Sequence, residues 1–263
     1  GVTAVEDTLH PGVREAVVRL KQAGVKVWMA TGDNRETAVN VSQAAGLLNP
    51  KLTTCSIRTK SVEQTHEQLV RDATVFADEL HARSINLVID GESLHYATAP
   101  ENAPLLLRLL AIAETAVFCR MAPGDKVAAV RLIRRLSRGT ILAIGDGVND
   151  VPMLREARIG VGISNGSGAY ASHSADFVVP EFRFLLKLLC VHGHYFYRRI
   201  SVFILFTLYR NCLATFLLFL CNCFTGFSNG APFDTLTNTM YNVLFTLPPI
   251  LVFAIFDKDV EPY

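Results

Sequence analysis

Two aspartates at the end of an apolar run could bind a metal ion and phosphate. Residues 141–150 read ILAIGDGVND, which places Asp146 and Asp150 four residues apart after a run bounded by glycine. Such a run is typical of a buried parallel strand, and ligands of open α/β sheets bind at the carboxyl ends of the strands. Mg²⁺ usually takes one or two carboxylates and completes its shell with water and phosphate oxygens. The pattern therefore predicts a Mg²⁺ and phosphate site. The competing interpretation is a tight turn with a helix-capping aspartate.

Two further predicted strand ends carry groups that suit phosphate. The first is Thr31-Gly32-Asp33, where a hydroxyl and free backbone N–H groups precede a predicted helix. The second carries Arg120 and Lys126, two cations that would offset the charge of a phosphate. Taken singly, the first motif is also consistent with ordinary helix caps, and the two cations with solvated surface charges. The three strand ends together, in this order, favour a phosphate-handling site.

The first 185 residues alternate short apolar runs with amphipathic segments. This alternation predicts an α/β fold, in which helices flank a parallel, Rossmann-type sheet. The polar residues 52–83 are predicted to form an irregular insertion with one helix. We predict strands at residues 25–30, 87–90, 116–119, 141–145, 160–163 and 177–179, and helices at 11–23, 34–45, 103–113 and 126–136.

The last third of the chain is apolar enough to enter a membrane. No Lys or Arg occurs between Arg210 and Lys258, and residues 200–224 and 236–256 are each near the ~20 residues that span a bilayer. We predict two transmembrane helices, and the alternative is a pair of buried helices in a soluble protein. A net charge of +1 gives no indication of a nucleic-acid partner.

Basic residues set the predicted orientation of these spans. They precede the first span and follow the second, whereas residues 225–235 between the spans contain none. The positive-inside rule therefore places the soluble part in the cytoplasm. The predicted organisation is an α/β domain at 1–185, a cytoplasmic stalk helix at 186–199, a span at 200–224, an outer loop at 225–235, a span at 236–256 and a cytoplasmic tail at 257–263.

Three polar residues interrupt the predicted spans. Arg210 and Asn211 lie on the first span and Asn242 on the second. An arginine at the bilayer centre costs about 2.5–3.5 kcal/mol on insertion scales, so we expect Arg210 to face the bundle interior or a wet groove. The alternative is snorkelling to the cytoplasmic surface. The asparagines can bond to backbone, to each other or to a substrate. Pro248-Pro249 removes two backbone donors and predicts a break or kink in the second span.

The order of these motifs resembles the haloacid-dehalogenase superfamily, and within it the phosphorylation domain of P-type ATPases. The finer resemblance is to the type IV branch, the phospholipid flippases, and it covers essentially the whole chain. The motifs that carry it are TGDNRETA from residue 31, GDGVND at 145–150, the Lys126 region, FRFL at 182–185, VHGHYFYRRIS at 191–201, YNVLFTLPP at 241–249 and IFDKDV at 255–260.

The resemblance implies a reaction and a role for each site residue. Members of the family transfer the γ-phosphate of ATP to the aspartate of a DKTG motif and then hydrolyse the aspartyl-phosphate. By resemblance, Asp146 coordinates Mg²⁺, Asp150 supports metal and phosphate, and Asn149 bonds phosphoryl oxygens. Lys126 neutralises charge during transfer and Thr31 holds the phosphoryl group. The nucleotide site is completed by Gly32, Asp33 and Arg120, and the lipid path by Arg210, Asn211 and Asn242.

The resemblance also limits what this segment does alone. No DKTG occurs in the sequence, so we expect the acceptor aspartate outside it and the segment by itself to be inactive. The implied substrate is a phospholipid moved from the outer to the cytoplasmic leaflet of the plasma membrane or an endomembrane. Whether a small accessory subunit takes part is left open.

One residue departs from the pattern of the flippases. They carry YKN where this chain has Tyr209-Arg210-Asn211, which keeps the charge but changes the shape of the cation. This change places headgroup preference in question more than transport itself.

Two alternatives remain. One is a cation-transporting P-type ATPase, which would want carboxylates in its spans. None lies between residues 201 and 225. The other is a truncated, non-catalytic form.

Overall fold

The computed structural model describes residues 9–77, 84–136, 139–164, 169–228 and 233–258. The chain divides into two compact units, Gly1–Leu185 and Leu186–Tyr263. The first unit is an α/β domain and the second is helical.

The first unit alternates strands and helices along most of its length. Its helices are α1 (Val13–Gln22), α2 (Arg35–Ala44), α3 (Val62–Ala77), α4 (Gly91–Ala97), α5 (Ala103–Ile112), α6 (Pro123–Leu136), α7 (Val151–Glu156), α8 (Ala169–Ser174) and α9 (Phe184–Lys187). Its strands are β1 (Met29–Ala30), β2 (Thr54–Ile57), β3 (Ile85–Asp90), β4 (Ala113–Cys119), β5 (Leu142–Gly145), β6 (Ile159–Ile163) and β7 (Phe177–Val179).

The strands form two parallel sheets rather than one continuous sheet. The first has the order β1-β4-β3-β2 and the second the order β5-β6-β7. Every pair of neighbouring strands is parallel, which confirms the predicted α/β class with flanking helices. β3 is buried along its whole length, whereas β1 and most of β5 are only half-buried. β1 and β5 each have one neighbouring strand, so both are edge strands among the described residues.

Helices α4, α7 and α8 were not predicted from the sequence, and strands β1 and β2 differ from their predicted form. β1 covers two residues instead of the predicted six, and it pairs with β4 only through Met29 and Ala30. β2 lies in the segment predicted to be irregular, where Cys55 and Ile57 are buried and the residues beside them are not. This alternation has the period of a half-buried strand, and β2 pairs in register with β3.

Helix α6 packs into two hydrophobic clusters. Ala129 and Leu132 belong to the cluster around Phe118 of β4, whereas Val130 packs with Ala143 of β5. All three α6 side chains are at most 6% exposed. Burial of apolar surface contributes about 25 cal/mol per Å² to the stability of the fold. Because α6 buries side chains in both clusters, both clusters stabilise its position. This fixes the first turn of α6, which carries Lys126, relative to both sheets.

The second unit contains the apolar helices. A helical run of 41 residues, Phe184–Phe224, is long and apolar enough to cross a membrane, and it includes a π-helical stretch at Leu188–Gly193 and α10 at His194–Phe224. Later in the chain come α11 (Thr235–Met240), a π-helical turn at Tyr241–Thr246 and α12 (Leu247–Phe256). Only Leu247 separates the π turn from Pro248-Pro249. Proline cannot donate to the carbonyl four residues earlier, which accounts for a change of hydrogen-bond pattern here.

Candidate functional site

The turn after β1 presents a hydroxyl and a carboxylate that bond to each other. Thr31 Oγ1 donates to Asp33 Oδ2 at 2.8 Å and accepts from the Asp33 N–H at 3.1 Å. The cap of α2 is a different residue, because Asn34 Oδ1 accepts from the Thr37 N–H at 3.0 Å. Thr31 and Asp33 are therefore not used as the helix cap. Gly32 and Asp33 are exposed and Thr31 is half-buried.

Backbone hydrogen bonds fasten this turn to the residues that follow β4. The Thr31 N–H donates to the Phe118 carbonyl at 2.9 Å, and the Met121 N–H donates back to the Thr31 carbonyl at 3.0 Å. The Arg120 N–H donates to the Asp33 carbonyl at 2.8 Å. Arg120 has a φ of 53°, in the left-handed region that few residues other than glycine adopt. Non-glycine residues held in this way cluster at functional sites.

A basic cavity of about 380 Å³ lies at the carboxyl ends of these strands. In the described part of the chain, the guanidinium groups of Arg35 and Arg120 make no hydrogen bond or ion pair, and Arg58 Nε lies 3.9 Å from Asp90 Oδ2. Guanidinium groups bind phosphate and carboxylate through paired donors, so the cavity suits an anion. Its lining residues are Asn34, Arg35, Glu36, Arg58, Asp90 and Arg120.

Lys126 and Asp150 form a largely buried ion pair. Lys126 Nζ lies 2.7 Å from Asp150 Oδ1, and the two side chains are 12% and 13% exposed. Asp150 closes a short 3₁₀ turn after β5, and its other carboxylate oxygen lies 3.5 Å from the Gly147 N–H. The lysine from α6 thus meets the second aspartate of the GDGVND motif.

Gly145 is required for this contact. A Cβ at position 145 would lie 2.5 Å from Asp150 Cβ and 2.8 Å from its Oδ2. Real Cβ atoms essentially never come this close to another atom. The glycine at the end of β5 therefore allows Asp150 to fold back toward Lys126.

Asp146 and Asn149 are exposed on the same turn. In the described ranges, no group of three or more His, Cys, Asp or Glu side chains is arranged to hold a metal ion. The donors present are nevertheless of the right kind for Mg²⁺, since both are carboxylates and Asp146 is exposed to incoming ligands. Two hard oxygen donors fit an ion that takes its remaining ligands from phosphate and water.

The predicted site residues of the α/β unit fall into two groups. One contains Thr31, Gly32, Asp33 and Arg120, and the other contains Lys126, Asp146, Asn149 and Asp150. Among the residues described, no hydrogen bond or ion pair joins a member of one group to a member of the other. The link between the groups is the turn from Arg120 into α6, where the Lys126 N–H donates to the Ala122 carbonyl at 3.2 Å.

Sequence reasoning missed Asp90, which lines the cavity, and Cys119, which bonds to Asp90. Cys119 Sγ donates to Asp90 Oδ1 at 2.9 Å, and both residues are buried. Burial first, and then the bond to Asp90, raise the pKa of the Cys119 thiol to about 12. The thiol therefore stays protonated at neutral pH and is no nucleophile. The signal that could have found Asp90 is an aspartate-glycine step at the end of a buried strand.

In the second unit, Arg210 contacts the π turn. Its Nη1 donates to Thr246 Oγ1 at 3.1 Å, and its Nη2 donates to Asn211 Oδ1 at 3.3 Å. Thr246 is only 5% exposed, whereas Asn211 is exposed. The side chain of Asn242 lies outside the part of the chain that the structure describes. The structure thus joins Arg210 to the second apolar segment through a residue that the sequence did not single out.

Comparison with known proteins identifies the same two parts. Models of haloacid dehalogenase-like hydrolases match residues 1–73 and 123–181, and the model of the C-terminal part of phospholipid-translocating P-type ATPases matches residues 172–263. "Probable phospholipid-transporting ATPase 12" of Arabidopsis thaliana is 39% identical over 99% of this chain and 24% of its own length. The phospholipid-transporting ATPases DRS2 of Saccharomyces cerevisiae and C887.12 of Schizosaccharomyces pombe are 38% and 36% identical, again over 99% of this chain.

The chain belongs to the phospholipid-translocating P-type ATPase family. It spans between 20% and 24% of the length of these three relatives. Within this P-type ATPase segment, the haloacid dehalogenase-like matches cover the α/β unit, and the C-terminal match covers the end of that unit and the helical unit.

Proposed function

We propose that this chain is part of an ATP-driven phospholipid flippase. It supplies one side of the phosphorylation site and two membrane segments of the full-length protein. The observation that carries the proposal is the buried Lys126–Asp150 pair at the carboxyl end of β5, on a chain that matches phospholipid-transporting ATPases from end to end.

The residues around the pair would act on the phosphoryl group by position and charge. The Lys126 ammonium offsets negative charge that develops during transfer, and the Thr31 hydroxyl donates to a phosphoryl oxygen. Asn149 is exposed on the turn and offers an amide donor to the same group. This is the usual division of labour in phosphoryl transfer, where catalysis is mostly orientation and electrostatics.

The nucleotide would be held at the neighbouring strand ends. Arg120 directs a guanidinium group without a described partner toward the phosphates of ATP, and Gly32 and Asp33 shape the turn beside it. Asp146 and Asp150 would hold Mg²⁺. When bound, the ion neutralises charge shared by the phosphate oxygens.

The acceptor aspartate of this proposal belongs to a DKTG segment outside the chain. We place that segment beside β1 and β5, whose free edges belong to half-buried strands within the described residues. A strand there would bring its carboxyl end to the edge where Thr31 and Asp150 lie. Without that aspartate, the chain described here is expected to be inactive by itself.

The helical unit would form the lipid path. In this proposal, residues 200–224 and 236–256 span the membrane, residues 186–199 form a cytoplasmic stalk, and the α/β domain of residues 1–185 lies in the cytoplasm. Arg210, Asn211 and Asn242 line the path of a phospholipid headgroup. The protein acts in the plasma membrane or an endomembrane, alone or with a small accessory subunit.

The experiment uses the full-length protein reconstituted in phospholipid vesicles. We expect ATP to yield an acid-stable, hydroxylamine-sensitive phosphoenzyme whose breakdown is accelerated by phospholipid. The variant Lys126→Met should lose most of this phosphoenzyme. Breakdown accelerated by Na⁺, K⁺ or Ca²⁺ and indifferent to phospholipid would favour a cation pump instead and reject the proposal.

A further inference from the structure

Gly91 follows Asp90 at the carboxyl end of β3 and begins α4. Its Cα faces the backbone of Arg120, so that a Cβ at position 91 would lie 2.6 Å from the Arg120 carbonyl oxygen and 3.3 Å from the carbonyl carbon. The φ of Gly91 lies outside the left-handed region. Glycine is thus required here by its neighbour and not by its own conformation.

The backbone at Arg120 cannot easily move aside. Its N–H and that of Met121 are bonded to the carbonyls of Asp33 and Thr31 at 2.8 and 3.0 Å. Its φ of 53° is costly for a residue with a side chain, and its carbonyl oxygen lies against Gly91. A methyl group at position 91 would have to displace this strand end, and with it the turn that carries Thr31.

The same residues border the basic cavity. Asp90 and Arg120 both line it, and Asp90 is fixed from behind by the Cys119 thiol. A shift of the Arg120 backbone therefore moves a guanidinium group that has no described partner. The contact at Gly91 acts on the cavity through Arg120.

We propose that Gly91 is a positioning residue for Arg120. By admitting the Arg120 carbonyl, it holds Arg120 in its left-handed conformation, with the guanidinium group at the cavity where an anionic group binds. Under the proposed function this group is a phosphate of ATP, and the inference rests on that function. Gly91 itself touches no substrate.

The test compares Gly91→Ala with Gly124→Ala in the full-length protein. Gly124 lies in the first turn of α6, close in sequence to Arg120, and a Cβ there meets nothing within 4 Å. We expect Gly91→Ala to raise the ATP concentration that gives half-maximal phosphoenzyme about tenfold, the loss typical of one charge-assisted hydrogen bond. The lipid-stimulated breakdown of phosphoenzyme already formed should be unchanged, and Gly124→Ala should match the wild type in both measurements.

A double-variant cycle separates positioning from folding. In an Arg120→Gln background, Gly91→Ala should cause no further rise in the ATP requirement, because the group it positions is already absent. A full additional rise would overturn the proposal, as would a Gly91→Ala protein with a wild-type ATP requirement. A wild-type protein that forms no phosphoenzyme from ATP would instead reject the proposed function.

If Gly91→Ala prevents accumulation of folded protein, the double variant Gly91→Ala/Arg120→Gly tests whether the steric conflict lies at Arg120. Glycine at position 120 has a wider choice of backbone conformations, so it should restore accumulation if the conflict lies at Arg120. Continued failure of the pair would overturn the proposal.

Discussion

Replacement of Asp150 by alanine would leave the Lys126 ammonium without its partner in a site where 12% of that side chain is exposed. Removing one partner of a buried ion pair typically costs about 3–5 kcal/mol, because the remaining charge is neither solvated nor compensated. Some water reaches this pair, so we expect the lower end, about 3 kcal/mol. In a domain of the size of the α/β unit, Gly1–Leu185, each kcal/mol of lost stability lowers the melting temperature by about 2–4 °C. Asp150→Ala should therefore lower the melting temperature by roughly 6–12 °C.

The assay is thermal unfolding of the full-length protein in detergent, followed by phosphoenzyme formation from ATP. The pair Lys126→Met/Asp150→Leu removes both charges at similar volume, so it should regain most of the lost stability while forming no phosphoenzyme. The matched control is Arg131→Met. Arg131 forms an ion pair with Glu156 at 3.0 Å, but its side chain is 65% exposed, so no resolvable shift is expected. A double variant no more stable than Asp150→Ala would refute the reasoning, because the cost would then not come from an unpaired charge.

Three further predictions concern other parts of the chain. Gly145→Ala should lower phosphoenzyme formation about 10²-fold by displacing Asp150, which is the order of loss caused by a displacement near 1 Å. Gly147→Ala should retain phosphoenzyme formation, because its Cβ meets nothing closer than 3.8 Å. Equal losses in the two variants would contradict the steric argument. Arg210→Ala should abolish lipid-stimulated breakdown of the phosphoenzyme while phosphorylation from ATP persists, and equal loss of both steps would point to misfolding. The raised pKa of Cys119 stabilises the folded state fully below the ordinary thiol value of 9.0, and this contribution is lost as the pH rises toward about 12. The melting-temperature difference between wild type and Cys119→Ala should therefore shrink over that range, and a constant difference would show that the thiol does not titrate as described.

The sequence predicted the parts of the fold that depend on local pattern. Apolar runs of strand length located β5, which ends at a glycine, and the end of β4, and amphipathic periodicity located α6. Strand length could not be predicted in the same way, since it depends on neighbours. β1 pairs with β4 only through Met29 and Ala30, although its sequence would suit a longer strand.

The motif residues were visible in the sequence, but their partners were not. Nothing in the spacing of Lys126 and Asp150 shows that the two side chains meet, because α6 and β5 bring them together through tertiary packing. The sequence pattern did not single out Cys119 or Asp90, because the two residues meet only across two neighbouring strands. The same holds for the contact between Arg210 and Thr246, which lie 36 residues apart.

The free edges of β1 and β5 also bear on how the segment behaves when it is made alone. In the described part of the chain, both strands present unpaired backbone donors and acceptors beside apolar, half-buried side chains. Open strand edges of this kind are templates on which another chain can add a strand, so the segment should self-associate or aggregate in isolation. A peptide able to pair with these edges should suppress that association by strand complementation, as donor strands do in pilins. A comparison of solubility with and without such a peptide would thus test whether the edges of β1 and β5 are open to pairing, without any measurement of ATP turnover.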